Sequence, residues 1–493
     1  MVKPLVAALL GATTLLTACG GGSSSDSAVI NVANVKKVVD TNAEIAYAVY
    51  SDAVDTAVAL QTALKNFRED PTQAKLDAAR KAWLVAREPY GQSEVYRFRN
   101  SPIDSTDYSS EDGPEGMINA WPLGEALIDY VVAGGDFDTD QVGVTANSAG
   151  LNDGGSVDAD EPNIINTTSI EINAALLAGS ASADDEHDVI AGYHAIEFLL
   201  WGQDLNDNAA VTYGDDRDDA VKSFGASNLA TGGQRPVSDF VPGYGAAEAS
   251  ENVNLTYDDE DLANRRHKFL EVAVQQLIDD LTAVRDGWAP GAAYRTAFTT
   301  VNTEAQAKQK LAEILTGMGT LSEGELAGER MQISFTANSQ EDEHSCFSDN
   351  THRDIWLDAE GVANSYYGEY AGYDSTLNGV DNVTTRAIVD GYGINDYLAD
   401  AGLTSLASRL NTALQTTKTA YTAIDAKARA GEPVDVLIME SNFNSLNPMY
   451  ATIEALNAQA GIIAEVAAAL GIDGVVDEEA SACDTSNPQA TCD

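Results

Sequence analysis

The run Gly192-Tyr193-His194-Ala195-Ile196-Glu197-Phe198-Leu199-Leu200-Trp201-Gly202 holds the most suggestive chemistry in the chain. His194 and Glu197 are three residues apart, so on a helix they project from the same side. Ile190, His194, Glu197 and Trp201 form one stripe, and Val189, Tyr193, Ile196 and Leu200 form an adjacent apolar one. A helix apolar over so much of its surface is expected to be buried on both stripes, which carries an imidazole and a carboxylate into the interior. A buried carboxylate is costly unless it is paired, protonated or bound to a metal. A second intrusion lies upstream, where Trp83, Ala86, Tyr90, Glu94 and Arg97 follow helical spacing and Glu94 takes a place that the pattern assigns to an apolar residue. Ser101-Pro102-Ile103-Asp104 is expected to end that helix, with Asp104 roughly two turns beyond Glu94. An imidazole and carboxylates drawn from separate helices make the metal sites of bundle cores. Oxygen-rich ligation with one His suits iron, manganese or zinc better than copper(I). The plainer reading is a hydrogen-bonded His–Glu core pair, with Glu94 satisfied by Arg87 or Arg97.

The elements that would position these residues are helices. Ile45, Val49, Thr56, Leu60, Leu64 and Phe67 fall on one face before a stop at Pro71. The same periodicity returns in Leu311, Ile314, Leu315, Met318 and Leu321, in Leu403, Leu406, Leu410 and Leu414, and in Met449, Ile453, Leu456, Ile463, Val466 and Leu470. Period-2 stretches are scarce, so the expected fold is all-α. A break at Trp288-Ala289-Pro290-Gly291 divides it into two helical-bundle domains, 40–289 and 290–470, with a Cys-containing tail at 471–493. Long acidic loops such as Gly134–Pro162 and Ala226–Leu255 are expected between helices. Asp153-Gly154-Gly155 and Asp204-Leu205-Asn206 lack the alternating ligands of a calcium loop and read as plain acidic loops.

Charge limits the partners. The chain has 493 residues, with 77 Asp and Glu against 28 Lys and Arg, a formal charge of −49. No basic surface of useful size can be assembled from that, which argues against nucleic acid as a partner. Hydrophobic residues, at 44%, suffice for a sizeable core.

Residues 1–18 read as an export signal: Lys3, then a short apolar stretch from Leu5 to Leu16. Leu16-Thr17-Ala18-Cys19 resembles the lipobox of bacterial lipoproteins, which implies cleavage before Cys19, lipidation of that cysteine, and a membrane partner through the lipid anchor. Residues 19–39 then provide the lipidated Cys and a Gly/Ser tether. The expected location is the bacterial cell envelope, at the outer membrane and facing the periplasm or the cell surface. Cys483 and Cys492 could close a small loop in such a compartment, leaving Cys346 single.

Gly192-x-His194-x-x-Glu197, together with Arg87-Glu88-Pro89-Tyr90 and the stretch from Glu94 to Asp104, resembles the imelysin family, peptidase family M75. The segment from Ser339 to Asp354 and Gly324-Glu325-Leu326-Ala327-Gly328-Glu329-Arg330-Met331 are similar to its iron-regulated protein A branch. The resemblance runs from about residue 40 to about residue 470 and implies two helical bundles, bacterial export, a link to iron uptake and a site near the domain junction. It carries over His194 and Glu197, then Glu94 and Asp104, as the metal-holding residues. Asp349 and His352 fall in the second-domain motif as further contributors, although Ser348 or Asp349 could equally cap the helix that follows.

The family's name implies proteolysis, and the residues give it little support. HExxH and HxxEH zinc motifs are absent, and none of His187, His267, His344 and His352 stands at helical spacing to His194 on the side a zinc motif requires. The leading expectation is a lipid-anchored protein that captures a metal, iron first and zinc or manganese next, or an iron-bearing ligand, and acts with iron-transport components. A metallopeptidase is the alternative, and a structural or polysaccharide-binding lipoprotein the third reading.

Overall fold

A computed structural model describes residues 29–110, 112–129, 163–179, 189–202, 232–233, 235–242, 261–337, 342–379, 384–439, 444–472, 483–490 and 492. The signal segment, Cys19, the loop 134–162 and both candidate calcium loops lie outside these residues, as does most of 226–255.

Helix α1 spans Val32–Glu69, opened by the Asn31 side chain accepting the Asn34 N–H at 3.1 Å and closed before Pro71. Its expected apolar face is buried, including Ile45, Val49, Leu60, Leu64 and Phe67. Each such side chain removed from water contributes ~1.5–3 kcal/mol. Helix α2 (Gln73–Gly91) lies against α1 and α3 (Gly192–Trp201) against α2. Helix α4 (Leu262–Gly287) starts at Asp261, whose carboxylate accepts the N–H groups of Ala263 and Asn264, and packs on both α1 and α3.

Helix α5 (Glu304–Thr320) runs without a break into a wider π-helical segment, Leu321–Ile333. The i→i+5 hydrogen bonding of that segment brings residues five apart onto one face. Glu325 and Arg330 meet in this way, with Arg330 Nε donating to Glu325 Oε1 at 3.1 Å. Helices α6 (Thr351–Tyr367), α7 (Thr404–Arg429) and α8 (Pro448–Ala469) complete the second half of the chain. Helix α6 touches α2 on one side and α7 and the π segment on the other, so it joins the two halves. The hydrophobic core is continuous across them. The strands among the described residues are two short ones, Glu369–Tyr370 and Val389–Asp390, paired antiparallel, and the fold is otherwise helical as expected. No helix of the described residues is long and apolar enough to cross a membrane.

One expected helix is shorter than its periodicity suggests. Helix α2 stops at Gly91, and Glu94 lies in a separate tight turn, Glu94–Tyr96. Gly91 weakens the helix, and the backbone and hydroxyl of Ser93 both turn back to the Tyr90 carbonyl, at 2.8 and 2.6 Å. Asp104 therefore does not follow Glu94 along a helix. It organises a loop, its carboxylate accepting the N–H groups of Phe98, Arg99 and Ser101 at 3.0–3.2 Å.

Cys483 and Cys492 are joined by a disulfide, and Cys346 is buried outside it. The Gln332 amide holds the closed loop by donating to the carbonyls of Asp484, Asn487 and Ala490.

Candidate metal centre

All ten residues of α3 are buried, so His194 and Glu197 do enter the interior. The helix owes its start to Gly192, whose φ is +80° and where a Cβ would lie 2.4 Å from the Ile118 carbonyl oxygen. A side chain is excluded there both by backbone conformation and by contact.

His194 Nδ1 lies 2.9 Å from Glu197 Oε2. Its other nitrogen, Nε2, meets a residue from the far half of the chain: His344 Nε2, 3.0 Å away. His344 Nδ1 in turn lies 2.7 Å from Asp354 Oδ2. Two imidazoles thus face each other through Nε2, each backed on Nδ1 by a carboxylate. Both carboxylates are held from behind. Glu197 Oε1 accepts the Ser348 N–H at 2.9 Å and its hydroxyl at 2.6 Å. Asp354 accepts the Ser345 hydroxyl at 2.5 Å and the Arg87 guanidinium at 3.1 and 3.3 Å. Trp121 closes the site edge-on, its ring 4.8 Å from that of His194 and 6.1 Å from that of His344.

Burial dominates the electrostatics. It pushes the Glu197 carboxyl up to about 8 against the lowering effect of Ser348. It holds His194 well below the ordinary imidazole range, helped by His344 and Arg87. It brings His344 down to about 4, helped by Arg330. Asp354 goes the other way: burial raises it, but Arg87 and His344 more than reverse that and hold it well below the usual carboxylate range. At neutral pH the chain therefore carries one consistent set of protons. Glu197 donates to His194 Nδ1, His194 Nε2–H donates to His344 Nε2, and His344 Nδ1–H donates to the charged Asp354, which Arg87 balances. Every polar atom is paired and no imidazole is charged.

Of the residues expected from the sequence, His194 and Glu197 are brought together. Glu94 is buried nearby but is not brought to the imidazoles. Its oxygens take Arg330 Nη2 at 2.6 Å, Arg97 Nη1 at 3.3 Å and Asn119 Nδ2 at 3.2 Å. Among the described residues its hydrogen-bonded link to the histidines runs through Asn119, Arg87 and Asp354. Arg97 was one expected partner of Glu94, and Arg330 is the stronger one. Asp104 is spent on its loop. Asp349 and His352 line a separate cleft, with His352 Nδ1 2.9 Å from the Asp349 carbonyl and Nε2 3.6 Å from Asp425. Neither Ser348 nor Asp349 caps α6; Asn350 occupies that position, without a capping side-chain hydrogen bond.

The single-histidine expectation is corrected by His344, which stands 150 residues from His194 and has no local spacing to it. Its partner Asp354 was equally invisible. The available cue was Cys346-Phe347, an apolar pair inside a polar stretch, which marks that stretch as packed inward; Phe347 lies against Phe198 and Trp121.

A two-histidine chain locked between the two halves of a helical molecule defines the class: a helical protein with a buried, hydrogen-bonded histidine centre between its halves. The imelysin (peptidase M75) family profile matches residues 46–462, and the chain belongs to that family. It is 33% identical over 113 residues to iron-regulated protein A of Synechococcus elongatus, a match that covers 23% of this chain and 28% of that protein. In structure it is similar to a protein assigned as an iron-regulated protein A precursor from Parabacteroides distasonis, with a TM-score of 0.56 and 15% identity over 90% of this chain and 97% of the other. An imelysin-like protein from Psychrobacter arcticum is similar with a TM-score of 0.51 and 13% identity, covering 90% and 98%. These two likenesses establish the fold.

Proposed function

We propose that this protein captures a transition-metal cation, iron first and zinc or manganese next, between Nε2 of His194 and Nε2 of His344. The observation that carries the reading is the pair of facing Nε2 atoms, 3.0 Å apart, with each Nδ1 turned to a carboxylate. Metal-binding histidines are held in this way, since a carboxylate on the far nitrogen fixes the ring and raises its basicity. Among the described residues no third His, Cys, Asp or Glu joins the two to complete a ligand cluster. The name of the cyanobacterial relative, iron-regulated protein A, favours iron.

The proton set of the resting site gives capture a definite balance. His194 loses its Nε2 proton to solvent, Glu197 passes its own proton to His194 Nδ1 and becomes a carboxylate, and His344 keeps its proton on Nδ1. One proton leaves for each cation taken up. Glu197 and Asp354 both stand behind the rings, on the Nδ1 side, so neither is placed as the base for a water held at Nε2. That geometry favours capture over peptide hydrolysis.

The lipobox-like Leu16-Thr17-Ala18-Cys19 supports a lipid-anchored protein of the cell envelope, acting beside iron-transport components. The deciding experiment is elemental analysis of protein purified without chelator, beside His194→Ala and His344→Ala. Metal is expected in the wild type and lost from both variants. Equal metal content in all three would remove the proposal.

A further inference from the structure

The two imidazoles are sealed from water: His194 is 0% and His344 4% exposed. An ion that reaches their facing Nε2 atoms must pass one of the groups packed around them. Glu197, Asp354 and Arg87 are buried and tied into the hydrogen-bonded chain, and Phe347 is buried as well. Trp121 differs. Its ring stands against both imidazoles, with centroids 4.8 Å from His194 and 6.1 Å from His344, yet it and its neighbours Ala120 and Pro122 are partly exposed. A side chain that touches both rings and also meets solvent is the whole thickness of the wall at that point.

The chain is pinned on either side of this ring. It runs between two single-turn helices, Glu115–Ile118 and Glu125–Ile128. Asn119 accepts from Arg87 and donates to Glu94 at 3.2 Å, and the Gly124 N–H donates to the Val189 carbonyl at 2.8 Å. The motion open to Trp121 is therefore that of its side chain and the residues beside it, which is faster than rearrangement of a helix. The other walls are harder to move. Displacing α3 would part Glu197 from Ser348, and displacing the start of α6 would part Asp354 from Arg87, leaving buried polar atoms unpaired. Trp121 meets the imidazoles ring against ring, at interplanar angles of 66° and 63°, a weaker tie than a buried charge pair. Ser348 is also partly exposed, but it gives its N–H and hydroxyl to Glu197 Oε1. An ion entering there would meet the Nδ1 side of His194, behind the carboxylate.

We propose that Trp121 is the gate of the histidine centre: its indole turns away from the two imidazoles to open Nε2 to a cation from solvent, and turns back to shut water out. The inference rests on the reading of the histidine pair as a capture site and adds the route by which that site is reached. It makes Trp121 a residue that sets the rate of access and leaves the bonding at the two Nδ1 atoms unchanged.

The test is labelling of the metal-free full-length protein with diethyl pyrocarbonate, which acylates neutral imidazoles, read residue by residue by peptide mass spectrometry in wild type, Trp121→Phe and Trp121→Ala. A sealed group reacts only through its open state, so His194 and His344 should label slowly in wild type and at least ~10-fold faster in Trp121→Ala. Trp121→Phe keeps a smaller ring over the pair, folds with least disturbance and should fall between the two. His267, which is 3% exposed and lies 3.1 Å from the Phe240 carbonyl in another part of the molecule, is the internal control and should keep its wild-type rate in all three proteins. Unchanged labelling of His194 and His344 in the variants overturns the gate. So does an acceleration shared by His267, which marks general loosening. Because no metal is present, the labelling result stands apart from the capture reading: metal-free wild type on elemental analysis would remove capture alone, and equal labelling would remove the gate alone.

Discussion

Replacing Glu197 by glutamine exchanges a buried acid for its neutral isostere, and the structure gives the consequence a sign and a size. If the acid is protonated in the folded protein, Gln can reproduce each of its bonds: the amide N–H donates to His194 Nδ1 and the carbonyl accepts from Ser348. The acid, carried from 4.5 in the unfolded chain to about 8 in the folded protein by burial, keeps its proton between those values while the unfolded chain has lost it. The folded state then binds more protons, so stability falls as pH rises from about 4.5 to about 8 and levels off above that. At ~1.4 kcal/mol per pH unit the full loss is of the order of 5 kcal/mol. His344 contributes with the opposite sign. Its value of about 4 in the folded protein, set mainly by burial, means that stability is lost as pH falls from 6.5 through 4. That term is common to wild type and Glu197→Gln and cancels in their difference. Urea unfolding of the metal-free proteins near pH ~5 and pH ~9 reads the effect. Wild type should lose several kcal/mol more than Glu197→Gln on going to the higher pH. Parallel profiles would mean that Glu197 is ionised throughout, and the neutral proton chain drawn here would be wrong.

Three further outcomes follow from the same geometry. Cation uptake near neutral pH should release about one proton per ion, measurable by titration in buffers of different ionisation enthalpy; no proton release would contradict the exchange at His194 Nε2. Arg330→Ala removes the guanidinium shared by Glu94, Glu325 and Asp358 at 2.6–3.0 Å and should cost at least ~3 kcal/mol in urea unfolding, since buried carboxylates lose their counter-charge. A change under ~1 kcal/mol would show that these acids are satisfied without it. Gly192→Ala combines a positive φ with a Cβ 2.4 Å from a carbonyl oxygen and should destabilise by ~2–4 kcal/mol, with a near-neutral result refuting the tight start of α3.

Much of this was present in the residue pattern. The helical faces of α1, α5, α7 and α8, the burial of α3 on all sides, and the shared side of His194 and Glu197 all follow from periodicity, because helix geometry is local and repeats every 3.6 residues. Local spacing misled at Glu94. The apolar period continues past Gly91, but the backbone does not, since a glycine and a serine that bonds back to the helix end it first. Glu94 does intrude among buried apolar positions, and its burial is explained by arginines, one of them delivered by the π segment.

The residue pattern by itself determined the helices, the acidic character of the chain, and half of the histidine centre. Only the tertiary structure decided the other half. His344 and Asp354 reach His194 because α6 spans the two halves of the molecule and sets the preceding loop against α3. No periodicity encodes a contact across 150 residues; it is set by packing of the whole core, and that packing also decided which buried acid faces an imidazole and which faces an arginine.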